Sequence, residues 1–306
     1  MIETSNLTKT FGDVTAVENL TLRVAEGEVF GFLGPNGAGK TTTVRMLACL
    51  IAKTSGAAKI ADYEIGNSAD CQKIRKIIGL VPDNVGLYED LSAYRNLDFY
   101  GRLYECPETQ RREQIEYFLK MLDLWDVRDR QVRTFSKGMK QKLAIVRALV
   151  HDPQVLFLDE PTANLDPEFQ KTVRDFILEL KHEKRTIFLN THNLDEAQRI
   201  CDRIGILNTK LVAEGTPERL MESLEGRKTE IQLQRVTPAV TGAVERLGLH
   251  YVTTNGNRLV IDVRDPEMEN PGIIEAIVAA GGHVQFITEK HATLEEVYLK
   301  LVREER

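Results

Sequence analysis

A glycine-rich stretch between an apolar strand and a helix constrains the fold of this chain more than any other feature. The segment GPNGAGKTT, residues 34–42, follows the apolar run GEVFGFL and merges into the helical run GKTTTVRMLACLIA. It fits the pattern G-x-x-x-x-G-K-[ST], with Gly34, Gly39, Lys40 and Thr41 at the fixed positions. In such a loop, backbone N–H groups converge on a chain of phosphates. The sequence therefore predicts a strand–loop–helix unit that binds phosphate.

The loop is expected to use both its backbone and its side chains. The glycines allow the backbone to wrap the phosphates, Lys40 reaches the β- and γ-phosphates, and the Thr41 hydroxyl ligates Mg²⁺. The other predicted nucleotide-binding residues of the loop are Pro35, Asn36, Gly37, Ala38 and Thr42.

An acidic pair ends a second apolar run, VLFLDEP, residues 155–161. The buried strand would bring Asp159 to the Mg²⁺ site, and Glu160 could polarise a water in line with the γ-phosphate. An acidic pair after an apolar strand is often only a helix cap. Its combination with the phosphate loop favours a site that hydrolyses a nucleotide.

Strands and helices alternate through the first two thirds of the chain, which predicts a parallel sheet covered by helices. Residues 1–33 read as short strands, and residues 92–150 are mostly helical. The composition shifts near EGRKTE, and from about residue 226 the order βαββαβ predicts a small ferredoxin-like module. Its final helix begins with a capping box of Thr293 and Glu296. We therefore expect two domains, residues 1–225 and 226–306.

Composition narrows the function classes. Hydrophobic content of 42% and charged content of 28% are ordinary for a soluble globular protein, and the net charge of −6 disfavours nucleic acid as a partner. The four cysteines form no C-x-x-C pair, which favours reduced thiols in the cytoplasm. The sequence contains neither a signal peptide nor an apolar run of about 20 residues.

The segment FSKGMKQKL, residues 135–143, resembles the signature motif of the ATP-binding cassette (ABC) proteins, whose usual form is L-S-G-G-Q. Ser136 and Gly138 stand at the serine and glycine positions of that motif, while Lys137 and Met139 depart from it. The form with Lys and Met resembles the subfamily of drug, ion and antibiotic exporters. In that subfamily the ATPase and the membrane subunits are separate chains.

Other elements of the ABC family follow in order. TANLDP resembles the D-loop with Asp166 at its key position, and LNTHNLDEA places His192 where the family has its switch histidine. Phe11 matches the aromatic residue that stacks on adenine, with Ala16 below the base. The resemblance covers roughly residues 1–225; a weaker one, through TLEEVYLKLVRE, extends to the C-terminal domain of the exporter subfamily.

The resemblance implies a P-loop NTPase fold of the α/β class. It comprises a RecA-like parallel core, an N-terminal antiparallel β subdomain, a helical subdomain at about residues 85–150, and the ferredoxin-like α+β domain. It also implies ATP and Mg²⁺, with Glu160, His192 and Lys40 as catalytic residues and Thr41 and Asp159 as metal ligands. The Ser136 helix end of a second copy would cover the nucleotide. The dimer would act on integral membrane permease subunits at the inner face of the cell membrane.

One position departs from the family pattern. Where the family has a Gln after the strand that ends in Pro82, this chain has Asp83 and then Asn84. Either Asp83 serves the metal or Asn84 supplies the amide oxygen. Two other functions compete with transport: a non-transport ABC ATPase acting on a soluble or nucleic-acid machine, and a regulatory module without turnover. The intact Lys40, Asp159 and Glu160 oppose the latter.

Overall fold

The chain forms two compact units in a computed structural model that describes residues 1–82, 86–163, 165–223, 228–249, 251–290 and 293–304. The first unit comprises Met1–Pro217 and the second comprises Glu218–Glu304. Each unit has its own hydrophobic core.

The described residues of the first unit form ten strands in two sheets. They are β1 (Ile2–Phe11), β2 (Val14–Val24), β3 (Val29–Leu33), β4 (Ser55–Ile60), β5 (Tyr63–Glu64), β6 (Ile78–Val81), β7 (Val155–Asp159), β8 (Thr186–Asn190), β9 (Arg203–Asn208) and β10 (Lys210–Gly215). One sheet is antiparallel with the order β2-β1-β4-β5. The other has the order β10-β9-β3-β8-β7-β6; its strands are parallel except β10, which runs antiparallel to β9.

The interior residues of the parallel strands are apolar because both faces of the sheet are covered. All five residues of β3, β7 and β8 are buried. The rings of Phe30, Phe32, Phe157 and Phe188 lie fully buried, and Phe188 contacts the other three with ring centroids 5.2–5.6 Å apart. The predicted parallel sheet is confirmed, and β8 lies between β3 and β7.

Helices connect these strands. The first unit contains α1 (Lys40–Leu47), α2 (Ser68–Ile77), α3 (Ala93–Leu103), α4 (Glu108–Met121), α5 (Lys137–Leu149), α6 (Pro167–His182) and α7 (Leu194–Ile200). Helices α3, α4 and α5 contact one another and form a helical subdomain between β6 and β7. No helix in the described part of the chain is long and apolar enough to span a membrane.

Helix α1 ends five residues before the apolar run that predicted it. Cys49 adopts a left-handed backbone conformation with φ 55°. The N–H of Cys49 donates to Met46 O and the N–H of Leu50 donates to Arg45 O, at 3.0 and 2.8 Å. This pair of bonds is the Schellman arrangement that terminates a helix, and it turns the chain away although the following residues remain apolar.

The second unit begins within α8 (Pro217–Ser223) and contains a four-stranded antiparallel sheet. Its elements are β11 (Lys228–Leu233), α9 (Pro238–Arg246), β12 (Tyr251–Asn255), β13 (Arg258–Asp262), α10 (Pro266–Ala279), β14 (Val284–Lys290) and α11 (Leu294–Glu304). The strand order is β12-β13-β11-β14. Apolar residues of β11 and β13 pack with α9 and α10 in one core. At the start of α11, Thr293 and Glu296 exchange hydrogen bonds of 2.9 and 3.2 Å, which confirms the predicted capping box.

Candidate active site

The loop between β3 and α1 has the shape that its glycines predict. Gly37 and Gly39 have φ values of 84° and 98°, which residues with a Cβ rarely adopt. A Cβ at Gly34 would lie 2.3 Å from Leu207 O, and one at Gly39 would lie 2.2 Å from Ala16 O. The loop is therefore held against neighbouring backbone, and larger residues at either position would displace it.

Lys40, the first residue of α1, points back across this loop. Its Nζ donates hydrogen bonds to Gly34 O at 2.6 Å and to Pro35 O at 3.1 Å. Burial lowers the pKa of the Lys40 ammonium, and the negative charges of Glu160 and Asp159 oppose that shift. The ammonium is thus held among the loop carbonyls, in a position to bind anionic phosphate oxygens.

The ends of β7 and β8 place the Asp159 carboxylate and the Asn190 amide beside the loop. The Thr41 hydroxyl donates to Asp159 Oδ2 at 2.9 Å, and Asp159 is only 4% exposed. Asn190, the residue paired with Asp159 across β7 and β8, donates its amide to Asp159 Oδ1 at 3.2 Å. Asp159 is therefore oriented by one hydrogen bond on each carboxylate oxygen.

Glu160 and His192 form a pair at the mouth of the same cleft. His192 Nδ1 and Glu160 Oε2 are 2.8 Å apart, and the histidine side chain is 66% exposed while that of the glutamate is 19% exposed. Glu160 has a left-handed backbone with φ 52°, and its N–H donates to Asn190 O at 2.9 Å. A non-glycine residue in that region is strained, and such strain clusters at functional sites.

These residues line one cleft of about 450 Å³. The lining comprises Pro35, Asn36, Gly37, Ala38, Gly39, Lys40, Thr41, Thr42, Asp159, Glu160, Ala163 and His192. They come from the carboxyl ends of the adjacent strands β3, β7 and β8, where ligands bind in open parallel sheets. The structure thus brings together the predicted phosphate loop, acidic pair and histidine.

The remaining predicted residues lie elsewhere in the first unit. Ser136 caps α5, accepting a 3.2 Å hydrogen bond from the Met139 N–H, and its side chain is exposed. Asp166 caps α6 in the same way through Phe169 N–H at 3.1 Å. Phe11 is 51% exposed at the β1–β2 hairpin, with the Lys9 ammonium 4.6 Å from its ring centroid. Of the described residues that line the cleft, none belongs to the FSKGMKQKL segment.

Asp83 and Asn84 lie outside the described residues, so the choice between them as the residue beside the metal stays a prediction. Two other polar residues of the site carried no expectation from the sequence. Asn190 fixes Asp159, and Glu196 accepts hydrogen bonds from the hydroxyls of Thr162 and Thr191. The one sequence signal for Asn190 was its position as a polar residue at the end of the apolar run TIFLN.

Fold and site together define a phosphate-loop ATPase, and comparisons with known proteins agree. Residues 17–163 match the family described as ABC transporter. The daunorubicin resistance ATP-binding protein DrrA3 of Streptomyces coeruleorubidus is 35% identical over 301 residues, covering 97% of this chain and 94% of that protein. The Nod factor export ATP-binding protein I of Cupriavidus metallidurans is 34% identical over 310 residues, covering 100% of this chain and 98% of that protein.

Solved structures give the same result. The structure of an ATP binding subunit of an ABC transporter has a TM-score of 0.67 and 29% identity, covering 73% of this chain and 92% of that one. A dimeric ATP-binding cassette in a post-hydrolysis state, bound to ADP and Pi, has a TM-score of 0.64 and 27% identity, covering 71% and 98%. The chain belongs to the ATP-binding subunits of ABC transporters, and it is an ATP-binding ATPase. The resemblance carried by the sequence motifs is thereby confirmed.

Proposed function

We propose that this chain powers an exporter by hydrolysing ATP in a head-to-tail dimer docked on separate membrane subunits at the inner face of the cell membrane. The relatives that cover nearly its whole length are named for drug resistance and for Nod factor export, which supports export as the direction of transport. The observation that carries the catalytic part is the 2.8 Å contact between Glu160 and His192 beside the phosphate loop.

Within one chain, Glu160 is placed to accept a proton from the attacking water. Its Oε2 is engaged by His192 Nδ1, which leaves Oε1 to orient the water in line with the γ-phosphate. Lys40 lies among the loop carbonyls and would transfer its hydrogen bonds to phosphate oxygens when ATP enters. His192 would hold the γ-phosphate and keep Glu160 in place.

The donor set suits Mg²⁺. Thr41 and Asp159 offer a hydroxyl and a carboxylate, which are hard oxygen ligands, and the buried Asn190 Oδ1 beside them has no hydrogen-bond partner. When bound, the ion would neutralise charge that develops on the phosphates. Thr41 and Asp159 would hold it.

The second half of the site would come from another copy. At the N-terminus of α5 the exposed Ser136 side chain caps the Met139 N–H. A helix N-terminus of this kind suits an anion. Because this helix end is absent from its own chain's cleft, we assign it to the γ-phosphate of the partner's ATP. The dimeric state of a related solved cassette supports this arrangement.

Replacement of Glu160 by glutamine tests the proposal. Glu160→Gln should bind ATP, lose hydrolysis and accumulate as an ATP-bound dimer, measured by phosphate release and by light scattering after size exclusion. Glu116→Gln, on the exposed face of α4 and paired there with Lys120, is the matched control and should hydrolyse ATP normally. A Glu160→Gln chain that stays monomeric with ATP and hydrolyses at the wild-type rate would refute the proposal.

Docking on membrane subunits is assigned to the aromatic surface of the helical subdomain, defined here as Tyr88, Phe99 and Tyr100. The rings of Tyr88 and Phe99 meet edge to face at 5.2 Å, yet the residues are 49% and 42% exposed. Exposed aromatic clusters are typical of protein interfaces. Phe99→Asp should reduce co-sedimentation with membranes of the source cell, while Met268→Asp in the second unit should not.

A further inference from the structure

A buried carboxylate lies directly behind the catalytic pair, and the proposed mechanism does not use it. Glu196, in the first turn of α7, is 3% exposed. The Thr162 hydroxyl donates to its Oε2 at 2.7 Å, and the Thr191 hydroxyl donates to the same oxygen at 3.3 Å. Thr162 and Thr191 are themselves buried, at 4% and 0% exposure. One carboxylate oxygen thus joins the segment after β7 to the segment after β8.

The two threonines flank the catalytic pair in sequence. Thr162 is two residues after Glu160, and Thr191 immediately precedes His192. Movement of either segment would change the 2.8 Å distance between Glu160 and His192, because each side chain is carried by the backbone that its threonine fixes. The sheet register extends to Asp159 and Asn190, and one further backbone hydrogen bond, from the Glu160 N–H to Asn190 O, follows it. Beyond that point the chain leaves the ladder, and the Glu196 contacts continue the connection.

Two further hydrogen bonds hold the turn that precedes Glu196. Its N–H donates to the Asn193 side chain at 3.1 Å, and the Asn193 N–H donates to the Thr191 hydroxyl at 3.0 Å. Burial raises the pKa of the Glu196 carboxyl, while the two threonine hydrogen bonds and the charge of Arg174 lower it. A buried carboxylate is costly unless its oxygens are hydrogen-bonded. The two threonine hydroxyls offset that cost, and the same hydrogen bonds hold the two threonines in place.

We infer that Glu196 is a positioning residue for ATP hydrolysis: by accepting hydrogen bonds from Thr162 and Thr191, it sets the distance between Glu160 and His192. Glu196 is not among the residues that line the cleft, and its side chain contacts the two segments that it joins. The inference rests on the proposed roles of Glu160 and His192. It goes beyond them because it assigns the geometry of the pair to a residue behind the cleft.

Substitutions at Thr162, Thr191 and Glu196 remove or keep the contacts. Thr162→Val and Thr191→Val each delete one hydroxyl and preserve side-chain shape, whereas Glu196→Gln keeps an acceptor oxygen. We expect each Val variant to lower kcat about tenfold, since a misplaced catalytic group is costly in rate, with the KM for ATP unchanged within about twofold. Because both hydroxyls serve one oxygen, the double Val variant should lose less than the product of the single effects. Glu196→Gln should retain more activity than Glu196→Ala.

Thr229→Val is the matched control, since Thr229 is a fully buried threonine in the second unit whose hydroxyl bonds Asn270 at 2.8 Å. It should leave kcat unchanged. The measurement is steady-state ATP hydrolysis by the full chain, with far-ultraviolet circular dichroism to verify that each variant folds. Val variants with kcat within twofold of wild type, or with a rise in KM alone, would overturn the inference.

Glu160→Gln in the same series separates this inference from the proposed function. If Glu160→Gln abolishes hydrolysis and the Val variants do not lower kcat, the proposed function stands and the positioning role of Glu196 fails. If Glu160→Gln hydrolyses ATP at the wild-type rate, the proposed function fails, and the positioning role fails with it.

Discussion

Gly138 lies against the ring of Phe169, so closely that a Cβ on the glycine would stand 2.6 Å from Phe169 Cδ1. Phe169 belongs to the first turn of α6, and Gly138 to the first turn of α5. On the same ring, the Lys142 ammonium lies 5.1 Å from the centroid. The glycine of the FSKGMKQKL segment is therefore required by the packing of its own chain, whatever it contacts in a partner.

Gly138→Ala should destabilise the first unit by about 1–3 kcal/mol, the usual cost of overpacking a filled contact. The measurement is urea unfolding followed by fluorescence of Trp125, the single tryptophan of the chain, which lies in this unit. In a Phe169→Leu background the cost of the alanine should fall by about 1 kcal/mol, because the two residues are in contact. Equal costs in both backgrounds would contradict the contact.

Two inactive variants should restore activity when mixed, if each site combines a phosphate loop with the α5 end of another copy. Lys40→Ala removes the phosphate-binding ammonium. Ser136→Asp keeps a good helix cap but places a negative charge where the γ-phosphate would lie. A mixed dimer has one site with neither defect, so phosphate release should rise well above that of either variant alone. Mixing that leaves hydrolysis at the level of the separate variants would count against shared sites.

The stability of the first unit should depend on pH through His151. Its ring stacks on Tyr104 with centroids 3.8 Å apart, Nε2 donates to Ile78 O at 2.9 Å, and the buried Nδ1 has no partner. Burial lowers the pKa of His151, so the folded chain keeps the ring neutral at pH values where the unfolded chain binds a proton. The free energy of unfolding is therefore lost as pH falls below about 6.5 towards the folded pKa.

His151→Phe keeps the stack on Tyr104 and removes the titration. Below pH 6.5 the wild type should lose more stability than this variant, again measured by urea unfolding with Trp125 fluorescence. A difference between the two proteins that stays constant from pH 7.5 to pH 5.5 would exclude His151 as the cause.

A Mg²⁺ titration of ATP hydrolysis distinguishes Asp83 from Asn84, which the sequence leaves open. If Asp83 serves the metal, Asp83→Ala should raise the Mg²⁺ concentration required for half-maximal rate, and Asn84→Ala should not. If Asn84 supplies the amide oxygen instead, Asn84→Ala should raise the required Mg²⁺ concentration and Asp83→Ala should not. Unchanged titrations in both variants would remove this segment from the metal site.

The sequence predicted those parts of the site whose determinants are local. The phosphate loop is defined by glycines that its own turns require, and the acidic pair by the apolar strand that ends beside it. His192 was identified through the family resemblance of its segment. The side-chain hydrogen bonds that support these residues from distant segments were not predicted. Asn190 meets Asp159 only through the register of two parallel strands, and Glu196 meets Thr162 across 34 residues. No period or spacing in the sequence encodes such pairs.

The predicted end of helix α1 was wrong for a related reason. The apolar run after the phosphate loop extends to residue 52, yet α1 ends at Leu47 because Cys49 takes a left-handed conformation. Cysteine carries no strong preference for that conformation, unlike glycine or asparagine. The helix is terminated by the backbone hydrogen bonds that the Cys49 and Leu50 N–H groups donate to the preceding turn.

Because Glu160 has a left-handed backbone conformation, substitutions that stabilise the fold at this position would also abolish ATP hydrolysis. Glycine or asparagine tolerates φ 52° better than glutamate, so either substitution should stabilise the fold by roughly 0.5–1 kcal/mol while removing the carboxylate beside His192. Laboratory selection for heat resistance alone should therefore enrich Glu160→Gly and Glu160→Asn. Selection for export should eliminate both, because the carboxylate beside His192 is lost.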